Sequence, residues 1–222
     1  MKQLPRGFSL VEMAVVLVIV GLLMAGLLGP LGAQLEARKL AQTKTVLETS
    51  KEALLGFAVQ NKRLPCPANP STSGTGEGLE DLNTGTGSCN RLVGALPWVT
   101  LGVSKVDGWD RRVTYRVSNS FSRSSSLPNL SSSGDITVRA SSGGTIVANN
   151  LPVALVSHGK DGLGGYANDG SGLAAATGDQ LENSNGDTTF ISRNADESYD
   201  DVTAWLPTTL VLGRMVSAGV LP

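Results

Sequence analysis

The fold is decided at the N-terminus by the stretch Arg6-Gly7-Phe8-Ser9-Leu10-Val11-Glu12-Met13, which leads into a long apolar run. Residues 13–33 are 21 residues without a charge, and most of them are Val, Leu, Ile, Ala or Met. A helix rises about 1.5 Å per residue, so a run of this length covers the roughly 30 Å hydrocarbon core of a bilayer. The pattern predicts a membrane-spanning helix over residues 8–33.

The residues before and at the start of the apolar run limit which kinds of N-terminal signal fit the sequence. Lys2 and Arg6 predict an N-terminus on the cytoplasmic side, as in a secretory signal peptide or a plain anchor. The run is longer than the usual 7–15-residue core of a secretory signal. Glu12 also places a carboxylate at the start of the apolar run. A carboxylate without a partner costs roughly 2.5–3.5 kcal/mol at mid-bilayer. Cleavage between Gly7 and Phe8 would supply one, because the new α-amino group lies four residues from Glu12.

The stretch from Arg6 to Met13, with the apolar run after it, resembles the signal of the type IV pilin and type II secretion pseudopilin superfamily. The resemblance implies that a prepilin peptidase cuts after Gly7 and methylates the new N-terminus at Phe8. It also implies that Glu12 contacts the N-terminal amine of a neighbouring subunit during assembly. The predicted organisation is a leader peptide over 1–7, a transmembrane and assembly helix over 8–33, and a periplasmic or extracellular domain over 34–222.

The region after the apolar run predicts an α+β fold. Leu40, Leu47 and Leu54 stand seven apart with polar residues on the other faces, which is typical of an amphipathic helix. We therefore expect one helix over residues 8–63, whose second half packs on a C-terminal antiparallel β-sheet. Strands are expected at residues 112–117, 135–140, 145–148, 153–157 and 190–192, where short apolar or alternating runs occur.

Two cysteines bracket a loop rich in Gly, Ser, Thr and Asn. Cys66 and Cys89 are the only cysteines of the chain. Outside the cytoplasm a disulfide between them is the natural interpretation. The alternative is a redox or nucleophilic cysteine. It lacks a CxxC pair, and the only histidine, His158, is distant in sequence.

A second resemblance concerns a possible calcium ion. The stretch from Ser157 to Gly165 resembles the calcium-binding loop of the major pseudopilins, in which acidic residues further along complete the site. Asp161, Asp200 and Asp201 supply hard oxygen ligands that suit calcium. The alternative is that these side chains cap the backbone amides of turns. Residues 159–205 have few apolar residues before Phe190, so we expect a loop that is either ordered by an ion or mobile.

The remaining features exclude several function classes. The chain has 18 Lys and Arg against 19 Asp and Glu, so no charge footprint for nucleic acid is present. There is no P-loop, no dinucleotide fingerprint and no cluster of histidines for a metal. A serine–histidine–aspartate arrangement would depend on His158 alone, in a Gly-rich turn. We therefore expect no enzyme.

The predicted function is that of a structural subunit, a minor pilin or pseudopilin of a type IV pilus or type II secretion filament. The resemblance implies partners: other pilin subunits, prepilin peptidase, an inner-membrane assembly platform and membrane lipid. It also implies that the chain begins in the bacterial inner membrane and ends in a periplasmic or extracellular filament. The alternative is an anchored or secreted periplasmic binding protein or hydrolase with a pilin-like N-terminus.

Overall fold

The computed structural model describes residues 7–221, without the side chains of residues 25–31. Lys2, Arg6 and the rest of the predicted leader before Gly7 lie outside the described residues. By its internal contacts the chain divides into Met1–Leu40, here the N-terminal unit, and Ala41–Pro222, here the C-terminal unit.

The described residues form five helices and eleven strands. The helices are α1 (Leu10–Asn61), α2 (Trp98–Leu101), α3 (Asn119–Ser122), α4 (Gly178–Glu182) and α5 (Thr208–Ser217). The strands are β1 (Leu82–Asn83), β2 (Ser88–Cys89), β3 (Val93–Ala95), β4 (Arg111–Arg112), β5 (Thr114–Val117), β6 (Ile136–Arg139), β7 (Ile146–Leu151), β8 (Val153–Ser157), β9 (Tyr166–Ala167), β10 (Thr189–Ile191) and β11 (Val202–Leu206).

Helix α1 ends two residues before the predicted boundary. Lys62 adopts a left-handed backbone with φ of 60°, which an α-helix cannot continue. In the C-terminal unit its buried residues recur at helical spacing, at Thr43, Val46, Leu47, Ser50, Leu54, Leu55 and Ala58. Leu40, the first member of the predicted leucine stripe, is 36% exposed and lies in the N-terminal unit.

The main sheet is antiparallel and has the strand order β11-β8-β5-β3. Strand β8 is buried on both faces because its residues alternate between two cores. Val153 and Leu155 join the cluster that contains Leu47 and Leu54 of α1, whereas Ala154 and Val156 join a second cluster. The amphipathic part of α1 therefore packs on the main sheet, and the α+β prediction is confirmed.

The second cluster is closed by a three-stranded sheet of order β10-β6-β7. Strands β6 and β7 are antiparallel, but β10 pairs with β6 in parallel, a pairing that the sequence did not indicate. Helix α5 adds Val211, Leu212 and Met215 to the first cluster and was also not predicted.

The segment 159–205 is not the unstructured loop that its composition suggests. It contains β9, α4, β10 and most of β11. Buried polar side chains contribute to holding this segment, as described below, whereas its mobility and its ordering by an ion stay predictions.

Candidate processing and assembly site

The peptide bond between Gly7 and Phe8 lies in an exposed segment before α1. Residues 7–9 form no helix or strand, and the Phe8 side chain is 78% exposed. A methyl group added to Gly7 would meet no atom within 4 Å. The predicted cleavage bond is therefore open to an enzyme.

Ser9 and Glu12 form a reciprocal cap at the start of α1. The backbone N–H of Ser9 donates to Glu12 Oε2 at 2.8 Å, and the backbone N–H of Glu12 donates to Ser9 Oγ at 3.2 Å. Both bonds satisfy amides that lie at the helix start. The spacing Ser9-x-x-Glu12 is a sequence signature of such a cap, although the cap was not among the roles predicted for Glu12.

The first turns of α1 expose their apolar side chains. From Phe8 to Met24 these exposed fractions run from 42% to 88% and include Leu10, Val11, Met13, Val15, Val16, Leu17, Val18, Ile19, Val20, Leu22 and Leu23. Contiguous apolar exposure of this extent marks a surface that another molecule or a lipid phase covers. Within the described residues, no helix meets the length and apolarity of a membrane span. The transmembrane helix over residues 8–33 remains a prediction.

The predicted disulfide is confirmed. Cys66 and Cys89 are bonded, with Cα atoms 5.3 Å apart. Glu80 organises the loop that they close, because its carboxylate pairs with both terminal nitrogens of Arg63 at 2.8 Å. The same carboxylate accepts the backbone N–H of Cys66 at 3.1 Å. The disulfide therefore lies beside a partly buried ion pair that holds the same loop.

Of the three predicted calcium ligands, Asp161 and Asp200 come together and Asp201 does not join them. Asp200 Oδ2 accepts the backbone N–H groups of Lys160 and Asp161 at 2.7 and 2.9 Å, and Asp161 Oδ1 accepts that of Leu163 at 2.9 Å. Gln180 Nε2 lies between the two carboxylates, at 3.1 Å from Asp161 Oδ2 and 3.4 Å from Asp200 Oδ1. These are the bonds of turn caps.

Asp201 is buried apart from that pair. Its Oδ2 accepts a hydrogen bond from Asn183 Nδ2 at 2.7 Å, and its other oxygen lies 3.8 Å from His158 Nδ1. Within the part of the chain that the structure describes, no group of three or more His, Cys, Asp or Glu side chains is placed to hold a metal ion. Calcium binding stays a prediction for measurement.

Asn183 joins residues 191, 199 and 201 in the second half of segment 159–205. Its Oδ1 accepts the backbone N–H of Ile191 at 2.7 Å, and its Nδ2 lies within hydrogen-bond distance of Ile191 O and Tyr199 Oη, both at 3.2 Å. Tyr199 Oη donates to the same Ile191 carbonyl at 2.6 Å. Asn183 is 1% exposed. An isolated polar residue gives no periodic signal, so sequence reasoning missed it.

His158 is fully buried, contrary to a reactive role. Its Nε2 lies 2.8 Å from Thr114 Oγ1, and it has no exposed surface. Burial lowers the pKa of His158 to about 4 and raises the pKa of Asp201 to about 7. At neutral pH the histidine is uncharged and inaccessible to a substrate.

Arg112 is a second residue that sequence reasoning missed. It is 1% exposed, and its guanidinium donates to the carbonyls of Pro70, Thr72 and Asn168 at 2.7–3.2 Å. Its Nη2 also pairs with Glu77 at 2.5 Å. The side chain thereby fastens the loop closed by the disulfide to segment 159–205.

The comparisons with known proteins agree with the N-terminal geometry. The family described as the prokaryotic N-terminal methylation motif matches residues 4–28. This motif is the signal of type IV pilins and pseudopilins. No curated protein and no solved structure matches the chain.

Proposed function

We propose that this chain is a structural subunit, a minor pilin or pseudopilin, of a type IV pilus or type II secretion filament. The observation that carries the proposal is the methylation motif at residues 4–28, whose cleavage bond between Gly7 and Phe8 lies in the exposed segment before α1. In this role prepilin peptidase cleaves after Gly7, and the mature chain begins at Phe8. Other pilin subunits, the inner-membrane assembly platform and membrane lipid are its partners.

The exposed apolar surface of residues 8–24 supports this role. Thirteen large apolar side chains of that range are more than 40% exposed, which is costly in water. In the proposal lipid covers them in the inner membrane before assembly, and neighbouring helices cover them in the periplasmic or extracellular filament. The proposal includes no catalysis, and the full burial of His158 supports that view.

The mature N-terminus tests processing. Mass analysis of the chain from membranes is expected to find methylated Phe8 as the first residue. An intact Met1, or a chain that begins at Gln34, would contradict the proposal and favour an anchored or secreted periplasmic protein. Gly7→Leu is the matched variant, since a Cβ at residue 7 meets no described atom within 4 Å and the substitution changes the cleavage residue.

Glu12 tests assembly, and its cap with Ser9 supplies the controls. Glu12→Ala is expected to fold and insert but to be lost from sheared filaments, because removal of one member of a buried pair strands the other charge at roughly 3–5 kcal/mol. Glu12→Gln keeps a cap acceptor without the charge and should fail equally. Ser9→Ala loses one cap bond, keeps the charge and should assemble. Normal incorporation of both Glu12 variants would refute the role.

A further inference from the structure

The two larger sheets have four edge strands within the described residues, namely β3, β7, β10 and β11. An edge strand presents unpaired N–H and C=O groups to which a strand of another chain can add, and natural proteins usually block such edges. The main-chain contacts and bulges of each edge strand decide whether a further strand can add to it.

The edge at β3 is closed by residue 68. Ala68 N–H donates to Ala95 O at 2.9 Å, and Ala95 N–H donates to Ala68 O at 3.0 Å. This exchange of both main-chain bonds occupies the outer side of β3, so no further strand can pair there.

The edges of the three-stranded sheet are closed in other ways. At β10, the Asn183 side chain occupies both the N–H and the carbonyl of Ile191. At β7, the register with β6 shifts twice, and Asn150 has a positive φ of 53°. Thr208 Oγ1 also donates to the Asn150 carbonyl at 2.6 Å. Bulges of this kind twist an edge away from pairing.

The edge at β11 has none of these devices. Its five residues pair with β8 in unbroken register, from Val202 opposite Ser157 to Leu206 opposite Val153. The strand Val-Thr-Ala-Trp-Leu carries no charge and no proline. Among the described residues, none outside β8 forms a hydrogen bond with its main chain. Residues 202–205 are half-buried, and no described strand lies on the outer side of β11.

The surroundings of the start of β11 are acidic. A cavity of about 300 Å³ is lined by Asp161, Asp196, Glu197 and Asp200 together with Lys160. Asp196 is already paired with Arg193, but Glu197 is exposed, and Asp200 stands two residues before Val202. A strand added to β11 would therefore meet negative charge at this end.

We propose that the outer edge of β11 binds an extended segment of another polypeptide by strand addition. The main sheet is antiparallel throughout, so the added strand runs antiparallel to β11 and its C-terminal end lies near Asp200. The segment has alternating uncharged residues that suit a β-strand, and it ends in Lys or Arg, whose charge complements Glu197 and Asp200. The proposal rests on residues of the C-terminal unit alone and does not depend on filament assembly.

Hydrogen exchange tests the proposal on the full chain in detergent micelles. The probe is a short peptide of alternating threonine and valine that ends in two lysines. The outward amides of residues 202–206 are expected to exchange about tenfold more slowly with the peptide. A matched peptide in which proline replaces every threonine and valine has no N–H in that stretch to donate and should give no protection. Absent protection, or equal protection by both peptides, would overturn the proposal.

Two variants sharpen this test. Glu197→Lys should weaken binding of the lysine peptide about tenfold and leave the melting temperature unchanged. Neighbouring amides of a strand point to opposite sides, so only one of Thr203→Pro and Ala204→Pro keeps the bonds to β8. That variant should fold normally and lose the peptide. Self-association of the chain that the same variant abolishes would assign the edge to a second copy and overturn the proposed partner.

Discussion

The two ends of helix α1 differ in the exposure of their apolar side chains. From Phe8 to Met24 its large apolar side chains are exposed, whereas from Val46 to Ala58 they are among the most buried of the chain. The difference follows from the sequence pattern. The first range is apolar on every face, but the second places apolar residues on one stripe only.

This contrast teaches that burial depends on periodicity as well as on apolar content. The stripe at Leu47 and Leu54 matches one sheet of the same chain, so the C-terminal unit covers it. One sheet cannot cover a helix that is apolar on all faces. Such a helix requires apolar surroundings on every side. The four predictions below test this contrast and the packing of the C-terminal unit.

The largest expected effect compares the same substitution in the two ranges. Leu54→Ala should lower the free energy of unfolding by about 2–5 kcal/mol, because Leu54 is fully buried and a cavity remains. Leu17→Ala should lower it by less than about 0.5 kcal/mol, because Leu17 is 70% exposed. Urea unfolding of the full chain in micelles, followed by tryptophan fluorescence, measures both. Equal costs would break the contrast.

The second effect concerns the disulfide of the C-terminal unit. Replacing Cys66 and Cys89 together by serine should lower the free energy of unfolding by about 3 kcal/mol, since the bridge closes a loop with a sequence separation of 23. The native chain should show no free thiol in an Ellman assay. A reducing agent should destabilise the native chain but leave the double variant unchanged, which is the control.

The third effect is a pair of pH dependences of the free energy of unfolding that oppose each other in the native chain. The lowered pKa of His158, about 4, gives stability that is complete above about pH 6.5 and is lost as the pH falls through 4. The raised pKa of Asp201, about 7, gives stability that is complete below about pH 4 and is lost as the pH rises through 7. Between pH 4 and 6.5 the two trends oppose each other, so the free energy of unfolding should be nearly flat.

Two variants separate those trends. In Asp201→Asn only His158 remains, and stability should rise with pH over that window, by up to about 1.4 kcal/mol per pH unit. In His158→Gln only Asp201 remains, and stability should fall over the same window. Urea unfolding at several pH values measures the slopes, and two variants with slopes of the same sign would refute the assignment.

The smallest expected effect is that of calcium. Asp161 and Asp200 already accept backbone amides, and Asp201 faces Asn183. We therefore expect thermal melts of the full chain in EDTA, calcium and magnesium to superimpose. A melting temperature that rises with calcium alone would show that calcium binds the native state, because magnesium demands stricter octahedral geometry.

The sequence predicted elements where apolar residues repeat with a clear period. Strand β8 was predicted at its observed bounds, and the bridge between Cys66 and Cys89 followed from the predicted compartment. Helix α5 had a usable signal that was missed, because Val211, Leu212 and Met215 have helical spacing after Pro207. Strand β11 was missed because its start adjoins a polar segment.

The parts of the fold that the sequence did not predict depend on polar residues that long-range contacts bury. Asn183 and Arg112 belong to residue types that are mostly exposed in proteins, and His158 belongs to a type of intermediate burial. Their burial depends on partners such as Ile191, Asn168 and Thr114, which are distant in sequence or belong to other elements. No local pattern encodes those pairings, so the order of segment 159–205 could be found only from the structure.

In the proposed filament, the cap formed by Ser9 and Glu12 would act as a holder for the carboxylate. Glu12 Oε2 accepts the Ser9 amide, and a carboxylate has two oxygens with several acceptor positions. The side chain can therefore accept a neighbour's amine while it keeps its bond inside the helix. Under the proposed function, the start of α1 fixes the position of the charge before a partner arrives, so less side-chain freedom is lost when the contact forms.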